Sequence, residues 1–290
     1  MNVAYARDQK RIHVSQSTYV DALMEKYRQY VRAPRSLPMV CGVVLNKEQG
    51  ELRPTRNPYS SLVGALLFLS VCTRPDISFA VGSLAKFISN PGDEHWRVAV
   101  DVLSYVGATK RQGIMLGEVS GRMLDEVVAY ADSDWANDTD DRKSVSGGVL
   151  YLGGSIVAWH SRKQQMVCTS TAEAEIHAII EMVHTVRMTR DLLSELLQEF
   201  GFQCSNRIPL ILSDNQPGLD AVRSGRARTK HYDIKVKFIA QGIDNKDFEL
   251  QKVSTSSNKA DVLTKPLRAV RFKALVRFLT SEAPDTSANF

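Results

Sequence analysis

The chain has 290 residues, with 37 Lys+Arg against 32 Asp+Glu and a formal net charge of +5. Its composition, 43% hydrophobic and 24% charged, excludes a wholly disordered, collagen-like or disulfide-scaffold chain, and its length predicts two domains with ample core. The charge is uneven: residues 1–125 carry a net +5, residues 126–199 a net −6 and residues 200–290 a net +6.

The N-terminus, MNVAYARDQKRIHV, lacks the apolar run of a secretory signal. Residues 3–6 and 11–14 read as two short strands around a turn, followed by a polar helix over 17–31 with Tyr19, Leu23 and Tyr27 at helical spacing. Residues 33–57 are rich in Pro and polar groups and read as a connector. From residue 59 to about 113 we expect three helices, separated at Pro75 and at Asn90-Pro91-Gly92. The longest apolar stretch, from Leu62 to Cys72, has 11 residues and is too short to span a bilayer, so no membrane partner is expected. Cys41, Cys72, Cys168 and Cys204 show no metal spacing and read as reduced thiols, most of them buried, in a soluble intracellular protein.

The texture changes after residue 125. VVAYA is a short apolar run that stops at Asp132, and residues 147–160 read as a hairpin turning at Gly153-Gly154. Residues 171–200 are helical, with a break expected near Thr189, and Ser170-Thr171 followed by Glu173 has the form of an N-cap. IPLILS is a second buried strand that stops at Asp214. A helix after Asn215, a basic helix over 230–241, a strand near 248–253 and a short helix near 258–263 complete the pattern. Residues 281–290 read as a frayed tail. Strands alternating with helices in this order predict an α/β fold with a mixed sheet.

Ligand-binding groups in α/β sheets gather at strand ends. If the strands ending at Asp132 and Asp214 are parallel neighbours, their carboxylates come together. Glu175 shares the apolar stripe of its helix with Ala172, Ile179, Met182 and Val186, whereas Glu173 lies with His177 and His184. Asp261 sits in NKADVL at the first turn of a short helix. Four carboxylates without His or Cys partners suit Mg²⁺ or Mn²⁺, and two such ions activate water for phosphodiester cleavage. Taken singly, each is also an ordinary turn, cap or edge residue. Asp134, Asp138, Asp140 and Asp141 read as a solvated acidic loop. His160, His177, His184 and His231 show no ligand geometry, and Trp135 and Trp159 read as core.

The motifs IHVSQSTYVDALMEKY, NPYSSLVGALLFLSVCTRPDISFAV, YADSDWANDTDDRKSVSGGVLYLGGSIVAWHSRKQ, STAEAEIHAI, LSDNQ, RTKHYDIKVKFI and NKADVLTKPL stand in this order over residues 3–280. In them the chain resembles the C-terminal part of Ty1/copia-type retrotransposon Pol polyproteins: the end of the reverse transcriptase plus its ribonuclease H domain. The resemblance implies an RNase H-like mixed sheet flanked by helices, preceded by a mainly helical thumb- or connection-like segment. It implies a truncated reverse-transcriptase segment over 1–125 and a ribonuclease H-like domain over 126–280. The implied activity is cleavage of the RNA strand of RNA–DNA hybrids. Asp132, Glu175, Asp214 and Asp261 match the family's acidic quartet, with Asp132 bridging two Mg²⁺ ions (Mn²⁺ a possible substitute). Glu175 and Asp214 would hold one ion and Asp261 the other. The implied partners are the hybrid and an upstream palm and fingers region, in the cytoplasm, within a virus-like particle, or in the nucleus.

Two features depart from the wider pattern. The loop over 253–257 has no His before the last Asp, and Pro217-Gly218 follows the SDNQ motif. No Tyr-x-Asp-Asp turn occurs in the chain, so polymerisation is not expected of these residues. Arg223, Arg226, Arg228, Lys230, Lys235 and Lys237 form a basic run that reads as a phosphate-tracking edge. The competing readings are a solvated helix face, a silent transposon relic that only binds nucleic acid, and a transposase-like nuclease.

Overall fold

A period near 3.6 in the longer helices and short apolar runs in the strands set the local structure. The computed structural model describes residues 1–31, 33–119, 121–201, 207–225 and 230–282, with the side chains of 230 and 231 excepted. The chain forms two compact units. One comprises Met1–Leu116, the loop Asp138–Asp141 and the chain from Lys265 onward; the other comprises Gly117–Asn137 and Arg142–Thr264.

The first unit opens with the hairpin β1 (Asn2–Ala6) and β2 (Arg11–Ser15), then α1 (Ser17–Lys26), α2 (Glu48–Leu52), α3 (Tyr59–Cys72), α4 (Ser78–Ala85), α5 (Asp93–Ala108) and β3 (Gln112–Gly117). Helix α1 stops at Lys26, short of the expected residue 31, and the turn that follows sets Tyr30 edge-on against Trp96 at 4.9 Å. The expected connector contains α2, and β3 replaces what reads locally as the end of a helix. Beneath α3–α5 lies a buried polar node. The Arg74 guanidinium donates to both Asp76 oxygens at 2.9 and 2.8 Å and to the Thr109 carbonyl and hydroxyl at 3.1 and 2.7 Å. The Tyr105 hydroxyl donates to Asp76 at 2.7 Å.

The second unit contains β4 (Val127–Asp134), β5 (Val145–Leu152), β6 (Ser155–Lys163), α6 (Thr171–Glu199), β7 (Leu210–Ser213), α7 (Gln216–Ser224), α8 (Lys230–Asp244) and β8 (Glu249–Lys252), then a 3-10 turn over Lys259–Leu263. Its sheet has the order β6-β5-β4-β7-β8, antiparallel on the β6-β5-β4 side and parallel across β4, β7 and β8. Ala129, Ala131, Leu150 and Ile211 pack against Ile176, Ile179, Met182 and Val186 of α6 in its core. Helix α6 runs unbroken through Thr189, and the Thr185 and Thr189 hydroxyls donate to carbonyls one turn back at 3.0 and 2.8 Å. Pro217 is accommodated in the first turn of α7.

Two differences from the sequence reading concern the ends of the chain. Residues 265–280 group with the first unit, where Phe272 of α9 (Ala269–Val276) meets Tyr105 at 5.8 Å. Ser281 and Glu282, placed in the frayed tail, form β9 and pair with Gly113 and Gln112 of β3; residues 283–290 lie outside the described residues. The acidic loop differs too. Asp138 is 5% exposed, binds Lys86 Nζ at 2.8 Å and accepts from the Asp140 amide, while Asp140 accepts from the Lys47 amide. Of the described cysteines, Cys168 alone is buried and Cys41 is exposed. Trp135 is 44% exposed rather than core. No helix among the described residues is long and apolar enough to cross a membrane.

Candidate metal centre

The central strand β4 runs two residues beyond Asp132, so this carboxylate projects from within the strand rather than from its end. Tyr130 pairs with Leu212 on the parallel neighbour β7, and the same register carried forward brings Asp132 level with Asp214. Glu175 faces inward from the second turn of α6, as its apolar stripe predicts, and is buried at 8% exposure. One carboxylate oxygen from each of Asp132, Glu175 and Asp214 lies within 4.8 Å of the others. Asp261 is fully buried in the 3-10 turn over Lys259–Leu263 but does not belong to this close trio. The donor set is all oxygen and all anionic, which fits a hard divalent cation such as Mg²⁺ or Mn²⁺ rather than a soft one.

Neutral side chains hold two of the three, Asp132 and Asp214, from behind. Asn258 donates to Asp214 Oδ1 and to the Ala131 carbonyl, both at 3.0 Å, and the Thr264 hydroxyl donates to Asp132 Oδ2. Neither was singled out from sequence; their place within the NKADVLTKP motif was the available signal. On the same turn, the Lys259 ammonium lies 4.8 Å from the Tyr130 ring centre and 4.3 Å from that of Tyr151. Burial, assisted by repulsion from Arg122, pulls its pKa down to about 8.

A second cluster was not legible from spacing. Ligand atoms of Cys168, Glu173 and His177 also lie within 4.8 Å of one another. A cation already stands there: Lys235 Nζ hydrogen-bonds His177 Nε2 and lies 3.6 Å from Glu173. Glu173 Oε2 in turn accepts from the Thr169 amide and hydroxyl at 2.9 and 3.0 Å. Burial, then the Glu173 charge, push the Cys168 thiol up to about 11, and the thiol donates to Gln164. Burial and the Lys235 charge hold His177 below its ordinary value, which favours the imidazole that can accept from the ammonium. This cluster ties the start of α6 to α8.

The basic run divides. Lys235 is turned inward, whereas the side chains of Arg223 and Lys237 are 63% and 67% exposed and lie near Asp220 and Asp233. Arg226 and Arg228, and the side chain of Lys230, lie outside the described residues.

Three antiparallel strands joined to two parallel ones, flanked by helices, make the second unit an RNase H-like α/β fold. Across 283 residues, 94% of its length, the chain is 32% identical to the Retrovirus-related Pol polyprotein from transposon TNT 1-94 of Nicotiana tabacum, covering 20% of that protein. It is 34% identical over 268 residues to the transposon RE2 Pol polyprotein of Arabidopsis thaliana, covering 18% of it, and 25% identical over 238 residues to the transposon Ty1-NL2 Gag-Pol polyprotein of Saccharomyces cerevisiae, covering 13%. Over nearly its whole length the chain is homologous to Ty1/copia-type retrotransposon Pol polyproteins, and it spans about a fifth of the length of these plant relatives. No family model matches it. Among solved structures, LC11-RNase H1, isolated from compost, aligns with 48% of this chain and 93% of its own at 15% identity and a TM-score of 0.38.

Proposed function

We propose that the second unit hydrolyses the RNA strand of RNA–DNA hybrids with two Mg²⁺ ions, as the ribonuclease H part of a retrotransposon polyprotein. The observation that carries this reading is the carboxylate trio of Asp132, Glu175 and Asp214, within 4.8 Å on a central strand, its parallel neighbour and a packed helix. Asp132, Glu175 and Asp214 would hold one ion, and Asp132 with Asp261 the other. Bound there, the ions would supply an activated water and offset the charge on the scissile phosphate. The protein's part is to fix the carboxylates. Asp132 is anchored on β4, Glu175 by the buried face of α6, and Asp214 by Asn258. The exposed Arg223 and Lys237 are suited to track the phosphate backbone without reading bases. The hybrid, and an upstream palm and fingers region of a longer polyprotein, are the proposed partners.

Incubation with end-labelled RNA–DNA hybrid and Mg²⁺ tests this. Cleavage confined to the RNA strand is expected, and Asp214→Asn should reduce it by several orders of magnitude while hybrid binding in Ca²⁺ persists. Binding without cleavage by the unaltered chain identifies a silent relic; cleavage of duplex DNA identifies a transposase-like nuclease. Normal cutting by the Asp214→Asn protein refutes the site assignment.

A further inference from the structure

Asn258 and Thr264 bracket the 3-10 turn that carries Asp261, and both are fully buried. From one end of the turn, the Asn258 amide nitrogen spans Asp214 Oδ1 and the carbonyl of Ala131, the residue before Asp132. Its amide oxygen accepts from the Ala260 N–H at 3.2 Å, which fixes the orientation of the amide group. From the other end, the Thr264 hydroxyl reaches Asp132 Oδ2 and lies 3.2 Å from the Asp261 carbonyl oxygen. Every member of the acidic quartet except Glu175 is therefore tied, through side chain or backbone, to one short turn.

The neighbouring strand makes room for this. Gly147 stands opposite Asp132 in the β4–β5 ladder. A Cβ there would lie 2.6 Å from Thr264 Cγ2, 2.9 Å from Leu263 Cβ and 3.0 Å from the Ala260 carbonyl oxygen. The turn comes so close to the strand that no larger residue fits between them.

We propose that Thr264 and Asn258 are positioning residues that set the spacing of Asp132 and Asp214 and, through it, the affinity of the centre for its divalent cation. Thr264 carries one hydroxyl proton, and donating it to Oδ2 fixes the Asp132 carboxylate from the side of the turn. Asn258, donating to Oδ1, does the same for Asp214. Groups that orient metal ligands in this way typically change metal affinity about 10–100-fold when removed. This inference rests on the metal-centre reading above and extends it to residues that touch neither metal nor substrate.

The test is a Mn²⁺ titration of the whole chain, followed by electron paramagnetic resonance, with hybrid cleavage measured on the same preparations. Thr264→Val keeps the side-chain volume and removes the hydroxyl. It should weaken Mn²⁺ binding at least about tenfold and raise the Mg²⁺ concentration needed for half-maximal cleavage, whereas Thr264→Ser restores both. Urea midpoints of the same variants without metal separate a loss of folding from a loss of Mn²⁺ affinity: the proposal expects affinity to fall in chains that remain folded. Should the valine variant not fold, Thr264→Ala takes its place. Equal Mn²⁺ affinity in the valine and unaltered chains overturns the proposal and leaves the ribonuclease reading standing. The expected loss of affinity in a chain that never cleaves hybrid upholds the proposal and overturns the ribonuclease reading. Absence of Mn²⁺ binding in the unaltered chain overturns both.

Discussion

A buried charge is tolerable where its partners are built in, and Arg74 with Asp76 is the clearest case, their side chains 1% and 0% exposed. Removing the guanidinium leaves the Asp76 carboxylate with the Tyr105 hydroxyl and no counter-charge. Arg74→Met is therefore expected to destabilise the first unit by about 3–5 kcal/mol in urea denaturation, and Asp76→Leu added to it should recover a large part. Residues of this kind were partly legible. Glu175 was recognised as inward-facing because its helical phase coincides with Ile179 and Met182. Asp138 was misread as solvated, since nothing within its own loop announces Lys86, 52 residues away. The structural role of His177 fits its reading as a non-ligand, but its neighbours Cys168 and Lys235, which arrive from a loop and another helix, are not legible from spacing.

At the scale of single elements, the turn over Lys259–Leu263 holds an ammonium against two aromatic rings on the sheet. The folded-state pKa of Lys259, about 8, lies below the ordinary 10.5. Between those values the unfolded chain binds more protons than the folded one, so stability contributed here rises with pH across that window and is flat below it. Replacing Lys259 with Met should flatten the window: the stability difference between variant and unaltered chain, taken from urea midpoints, narrows as pH increases from 8 to 10.5. The elements themselves followed largely from periodicity. The β5–β6 hairpin, the two strands that carry aspartates, and α6 all stand near their expected places. Misses have physical causes. Strand β3 owes its conformation to distant partners, and the Thr185 and Thr189 hydroxyls are satisfied inside α6 without breaking it.

At the scale of the whole molecule, sequence order and spatial grouping part company. The boundary expected at residue 125 follows the change in composition, but the first unit is discontinuous and takes back the chain from Lys265. His13 of β2 hydrogen-bonds the Ser281 carbonyl across 268 residues, and Thr280 bonds Gln112 across 168. A chain ending at Thr264 is therefore expected to keep slow hydrogen exchange in β4–β8 while exchange in β2 and β3 accelerates markedly. Uniform protection in both units would contradict the division.

That discontinuity has a consequence in time. On the ribosome, β3 is made long before β9, and the second unit is made in full between them. At roughly 5–20 residues per second the edge of β3 waits on the order of ten seconds for its partner. During that interval the second unit can close on contacts already synthesised, while the first must persist with an open strand edge. The sheet of the first unit thus cannot be completed until the whole of the carboxylate-bearing unit has been synthesised.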